Sequence, residues 1–97
     1  MTKVIFSAGL RQVTNGERST ELLAEPPTVS GYIAALDEQY TGFADRVIDA
    51  QGDQPEISRH FNIYLNDEDV RYLGGLATVV AADQELAFLI AVAGGSA

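Results

Sequence analysis

Cysteine is absent from this 97-residue chain. That excludes a disulfide framework, a thiolate metal site and a nucleophilic cysteine. Histidine is nearly absent too: His60 stands alone between Arg59 and Phe61, with no second soft ligand to make a metal site. It reads as a surface residue at the start of a strand. Basic residues are scarce, 6 against 14 acidic ones, for a net charge of −8. Phosphate backbones are bound by clustered Lys and Arg, so this balance argues against nucleic acid. It suits partners with basic docking surfaces, although an acidic surface also simply keeps a small protein in solution. No apolar run approaches the roughly 20 residues of a membrane-spanning helix, so no membrane association is expected. Met1-Thr2-Lys3-Val4-Ile5-Phe6 lacks the long apolar stretch and small-residue cleavage site of a signal peptide, which makes a cytoplasmic location the expectation.

What remains is one domain's worth of ordinary globular sequence, 46% hydrophobic and 21% charged, without repeats or low-complexity tracts. Val4, Phe6, Ala8 and Leu10 alternate with Lys3, Ile5, Ser7 and Gly9, predicting a first strand. Asn15-Gly16 signals a turn, and Glu21 to Glu25 reads as a second strand ended by Pro26-Pro27. Thr28 is placed to cap a helix, in which Val29, Ile33, Leu36 and Tyr40 recur at helical spacing while Asp37, Glu38 and Gln39 lie mostly outward. Gly42 breaks that pattern, and Phe43 to Asp49 reads as a further short helical turn with Phe43, Val47 and Ile48 inward. Residues 50–56 read as a polar loop.

Phe61, Ile63 and Leu65 alternate with Asn62 and Tyr64 in a third strand, closed by an acidic turn over Asn66-Asp67-Glu68-Asp69. That turn lacks the spacing of a calcium loop and reads as solvated. Asp45, Asp49 and Asp53 read as an ordinary acidic face. Val70 to Leu73 reads as a short edge strand before Gly74-Gly75. The last strand runs from Glu85 to Val92, with Leu86, Phe88, Ile90 and Val92 on one face and Ala87, Leu89 and Ala91 on the other. Apolar residues on both faces mark it as central. The order β-β-α-β-β-β predicts an α+β roll, a mixed sheet packed on one main helix.

The chain then thins. Every side chain after Val92 is small: Ala93-Gly94-Gly95-Ser96-Ala97. Residues 1–92 therefore read as the folded domain and 93–97 as a flexible tail. Paired glycines have no Cβ, so Gly94-Gly95 can enter a narrow channel. Extended at about 3.3 Å per residue, the chain from Ile90 to Gly95 spans roughly 17 Å, enough to place a chain end inside a partner while the body stays outside.

Ala91-Val92-Ala93-Gly94-Gly95, following Glu85 to Ile90, resembles the terminus of the MoaD/ThiS-type ubiquitin-like sulfur carriers. The stretch from Phe61 to Thr78 is similar to the middle of those proteins, most of all in the CysO-like branch that supplies sulfur for cysteine synthesis. Thr28-Val29 and the Tyr40-Thr41-Gly42-Phe43 break also match, so the resemblance covers nearly the whole chain. It implies a β-grasp fold and a carrier with no catalysis and no bound cofactor of its own. By the same carry-over, a ThiF/MoeB-like enzyme would use ATP to adenylate the Gly95 carboxylate, and a sulfur source would displace AMP to leave a thiocarboxylate. Gly95 would bear the sulfur, and Gly94 and Ala93 would provide clearance in each partner's channel. A sulfur-accepting synthase would take the cargo. Such a carrier needs no cysteine.

Ser96-Ala97 departs from the pattern, because Gly95 then carries a peptide bond where a carboxylate is needed. The resemblance implies removal of the pair by a JAMM-type zinc metalloprotease cutting between Gly95 and Ser96; otherwise the pair is a cloning remnant or this copy is inactive. The acyl chemistry would equally suit a ubiquitin-like modifier joined to lysines through Gly95, and molybdopterin synthesis is a further destination for the sulfur. A plain binding module using its acidic face is a third class. Among the aromatic residues, Phe61, Tyr64 and Phe88 fall on strands near the tail and are candidates for partner docking; Tyr64, on the opposite parity from Phe61, is the strongest.

Overall fold

A computed structural model describes residues 1–49, 52 and 54–91. Its frame is a five-stranded mixed sheet in the order β2-β1-β7-β5-β6. The strands are β1 (Thr2–Phe6), β2 (Ser19–Leu22), β5 (Phe61–Leu65), β6 (Glu68–Asp69) and β7 (Glu85–Ile90). β1 and β7 run parallel, with Lys3 opposite Glu85 and Phe6 opposite Phe88; every other pairing in the sheet is antiparallel. The first and last strands therefore meet at the centre of the sheet.

Helix α1 (Val29–Gln39) lies across one face. Thr28 starts it as anticipated, its hydroxyl accepting from the Gly31 amide at 3.1 Å. Val29, Tyr32, Ile33, Leu36 and Tyr40 are buried against Val4, Phe6, Ile63, Leu65, Leu86 and Phe88 of the sheet. Tyr32 can be taken inside because its hydroxyl has a partner, Thr2 Oγ1 at 2.7 Å. Helix α2 (Phe43–Val47) follows Gly42, whose φ of 96° makes the reversal that a side chain would oppose. Asp37 is not a plain outward residue. Its carboxylate accepts from the Gly42 and Ala44 amides at 3.2 and 2.9 Å and so caps α2. Edge-to-face contacts of Phe43 with Phe6 and Phe88, centroids 5.6 and 5.1 Å apart, close the core at this end.

Several boundaries differ from the sequence reading. β1 stops at Phe6: the Ser7 amide still closes the ladder on the Phe88 carbonyl, but the Ser7 carbonyl accepts from the Leu10 amide at 3.0 Å and Ala8–Leu10 coil into a 3-10 turn. Leu10 reaches the core from that turn, while Ala8 is exposed. β2 ends at Leu22 rather than Glu25, since Leu22 already pairs with Thr2 at the start of the ladder. The acidic turn is only Asn66-Asp67, both at positive φ; Glu68 and Asp69 return as β6. Val70 to Leu73 is no strand: the Asp69 carboxylate accepts from the Arg71 amide at 2.9 Å and starts a 3-10 turn over Val70–Tyr72. A two-stranded sheet of β3 (Ile48–Asp49) and β4 (Glu56–Ile57) flanks the loop between them, of which Ala50, Gln51 and Asp53 lie outside the described residues. β7 ends at Ile90, and Val92 to Ala97 are likewise outside.

Candidate functional site: the end of the central strand

The sequence points to the place where the chain leaves β7, and the sheet builds that place from three segments. β7 is held by β1 on one side and β5 on the other, so its last residues are fixed laterally. Beyond Ile90 the ladder continues one step, the Ala91 amide donating to the His60 carbonyl at 2.9 Å. The 3-10 turn after β1 folds against Ile90. Gly9 approaches so closely that a Cβ there would overlap the Ile90 side chain, which is why the turn has no side chain at this point. On the other flank the Arg71 guanidinium donates to the carbonyls of Ser58 and Phe61 at 2.9 and 2.8 Å and to Asn62 Oδ1 at 3.0 Å. Phe61 is the register partner of Ile90, so this fork steadies the strand end that borders the exit.

The two faces of the sheet differ in cover. Opposite α1, Ile5, Tyr64, Ala87 and Leu89 lie on one open face, with Ile5 and Tyr64 each paired to Ala87. Tyr64, Asp67, Glu85, Ala87 and Leu89 line a shallow hollow of about 260 Å³ on it. Leu89 is 36% exposed on this face, and Ile90, on the opposite parity, is 45% exposed where the strand ends. Of the three docking candidates, only Tyr64 stands on this surface. Phe88 is fully buried and Phe61 nearly so, because their parity turns them toward α1. Neither is available to a partner, and Leu89 is the residue that alternation places beside Tyr64. His60 is exposed at the exit, on the rim of an open hollow of about 680 Å³ that it shares with Asp45, Arg46, Asp49, Ser58 and Arg59.

Ala93, Gly94, Gly95 and Ser96, the predicted attachment, clearance and processing residues, lie outside the described residues. Among the described residues no group of three His, Asp or Glu side chains is arranged to hold a metal ion, and no helix is long and apolar enough to cross a membrane. Asp67 and Asp69 are engaged in turn formation, as the hairpin residue and the cap of the following turn.

A mixed sheet with parallel first and last strands and one helix packed across it is the β-grasp, ubiquitin-like architecture. Within that class the match is specific: residues 4–95 fit the ThiS family, and the chain belongs to it. The sulfur carrier protein CysO of Mycobacterium tuberculosis is 41% identical over 86 residues, 89% of each chain. Its crystal structure superposes with a TM-score of 0.85 at 36% identity, covering 95% of this chain and all of that one. CysO of Amycolatopsis orientalis, solved in complex with BexX, gives a TM-score of 0.82 at 34% identity over 95% of this chain and 97% of that one. Small archaeal modifier protein 3 of Haloferax volcanii is 28% identical over 93% of this chain and 94% of its own length. The carriers among these are named as carrier proteins, not enzymes.

Proposed function

We propose that this protein is a sulfur carrier whose cargo is a thiocarboxylate on Gly95. The observation that carries the reading is the geometry of the exit: a strand locked between two neighbours ends beside an open face that bears Tyr64, Ala87 and Leu89, and the sequence then runs Ala91-Val92-Ala93-Gly94-Gly95. A body held this way can dock while its thin end enters an active site.

The chemistry follows from the needs of a carboxylate. In the proposed sequence a JAMM-type metalloprotease hydrolyses the Gly95–Ser96 bond, leaving a free carboxylate. A carboxylate is a poor electrophile, so a ThiF/MoeB-like enzyme joins it to the α-phosphorus of ATP and pyrophosphate departs. Sulfide, or a sulfur donor reduced to that level, attacks the acyl carbon and AMP leaves with its electron pair. The resulting thiocarboxylate is the nucleophile delivered to a sulfur-accepting synthase, all within the cytoplasm where ATP is available. None of these steps asks for a catalytic side chain in the carrier. Likeness to CysO supports cysteine synthesis as the first destination. The Ser96-Ala97 extension favours a specialised sulfur-containing metabolite, and the small subunit of molybdopterin synthase is the remaining alternative.

A second reading, a protein modifier joined to lysines through Gly95, is favoured by the likeness to the archaeal modifier. One experiment separates the two. The chain trimmed after Gly95 is incubated with ThiF-like enzymes, ATP and sulfide, and its intact mass is measured. A gain equal to sulfur replacing oxygen is expected of a carrier, and lysine-linked adducts in cell extract of a modifier. Absence of any adenylate with every such enzyme would overturn both.

A further inference from the structure

The large apolar side chains left exposed among the described residues fall into separate groups. Met1, Leu23 and Val79 lie at the end of the sheet away from the exit. There Leu22 pairs with Thr2, the Thr2 hydroxyl donates to the Ala81 carbonyl at 3.4 Å, and Val79 bridges to Thr28. Leu89 and Ile90 belong to the exit itself. The remaining pair is consecutive: Tyr72 is 87% exposed and Leu73 45%. Tyr32 and Tyr40 are buried and Tyr64 is half-buried, so Tyr72 is the tyrosine that offers its whole ring to solvent. Its hydroxyl has no hydrogen-bond partner among the described residues.

The segment that carries this ring is firmly held. Val70 anchors it in the core, and the Leu73 amide closes the 3-10 turn on the Val70 carbonyl at 2.9 Å. The Asp69 carboxylate caps the turn from one side, and the Gly74 amide donates to Thr78 Oγ1 at 2.9 Å on the other. Between them the Arg71 guanidinium is engaged by three acceptors. A backbone fixed this way presents Tyr72 and Leu73 with little ordering left to do on binding, and a tyrosine has few rotamers to lose.

Exposure alone would not separate Tyr72 from Leu23 or Val79, since isolated apolar residues at a surface are ordinary. Position does. β6 runs antiparallel to β5, so the chain leaving Asp69 heads for the Phe61 end, and Phe61 is the partner of Ile90. The line of β6, which the turn continues, lies two strand spacings from β7, about 10 Å. A standard interface covers about 800 Å² on each partner, a disc of about 16 Å radius. Any such disc centred on the exit takes in Tyr72. The far group falls outside it, because Glu85 to Ile90 alone measures about 17 Å.

We infer that Tyr72 and Leu73 are an anchor that seats in an uncharged, apolar pocket of the enzyme that adenylates Gly95, beside the opening that takes the tail. The inference rests on the carrier reading and deepens it by naming a second point of attachment. The adenylating enzyme is the occupant because every fate of Gly95, carrier or modifier, begins with its activation. The chain from Ile90 to Gly95 spans only roughly 17 Å, so an enzyme holding that carboxylate against ATP has its surface over the exit end. The ring supplies apolar area, and the hydroxyl calls for one hydrogen-bonding group in the pocket.

The test uses the full chain trimmed after Gly95 and the ThiF-like enzyme that adenylates it, followed by pyrophosphate release. Tyr72→Ala, Leu73→Ala and Tyr72→Phe are compared with Leu23→Ala and Val79→Ala, which remove equally exposed apolar groups at the far end. Circular dichroism confirms that each is folded. Tyr72→Ala is expected to raise the KM for the carrier about tenfold with kcat nearly unchanged, and Tyr72→Phe about threefold. The far-end variants are expected to stay within about twofold of the wild type. Because the contact is uncharged, the ratio of variant to wild-type KM is expected to be the same at low and physiological salt. Nitration of Tyr72 by tetranitromethane, read by mass spectrometry, is expected to slow about fivefold or more when the enzyme is present in excess. With the wild type adenylated, an unchanged KM for Tyr72→Ala, equal effects at the far end, or undiminished nitration would each remove the anchor and leave the carrier reading standing. No adenylation of the wild type by any such enzyme would remove both.

Discussion

Phe88 shows how one residue's parity decides between surface and core. It is fully buried and meets Phe43 edge to face at 5.1 Å, under α1 and α2. Phe88→Ala is expected to cost about 3–5 kcal/mol, read from denaturant midpoints, because the small domain cannot collapse around the gap. Ser7 behaves oppositely. Its hydroxyl is buried with no hydrogen-bond partner, a leftover of the turn that ends β1. Ser7→Ala removes an unsatisfied polar group and is expected to leave stability unchanged or raise it by about 1 kcal/mol in the same measurement. Both residues lie within the reach of simple alternation, yet in β1 that alternation ends directly after Phe6. The reason is local: the Ser7 carbonyl accepts from the Leu10 amide at 3.0 Å instead of extending the ladder, and the chain turns.

At the scale of elements, the helix and the two long strands were legible because their signals are physical and repeated. Thr28 after two prolines, Val29-Ile33-Leu36-Tyr40 at one face, and Phe61-Ile63-Leu65 at period two each state the same thing several times. The short pieces were not legible. β3, β4 and β6 are two residues long and carry no period at all, and they exist only because a neighbour supplies the other half of the ladder. The turn at Val70–Tyr72 looked like a strand because Val, Tyr and Leu favour strands, but the Asp69 cap and the Arg71 fork outweigh that preference. Arg71→Ala is therefore expected to destabilise the domain by about 1–3 kcal/mol and to speed amide exchange at Phe61 and Ala91, seen by NMR. Arg71→Lys should not rescue it, since one ammonium cannot serve three acceptors spread around a planar fork.

For the molecule as a whole, the candidate site was half legible. Tyr64 was placed on the open face by parity, whereas the glycine pair lies outside the described residues. Leu89, its neighbour on that face, was not singled out, because alternation alone does not say which face α1 covers. The proposed division between body and tail makes a clean prediction. In the chain trimmed after Gly95, Gly94→Val is expected to keep the wild-type melting temperature and lose thiocarboxylate formation, as measured by calorimetry and intact mass. A fall in melting temperature instead would mean that the tail belongs to the body's stability.

The central position of β7 also has a mechanical side. A protein that grips the tail pulls along the strand axis, while the hydrogen bonds to β1 and β5 run across it. Such a load is shared among the bonds of two ladders at once instead of unzipping one bond at a time. The grip can therefore be firm and the tail drawn taut without the body being unravelled.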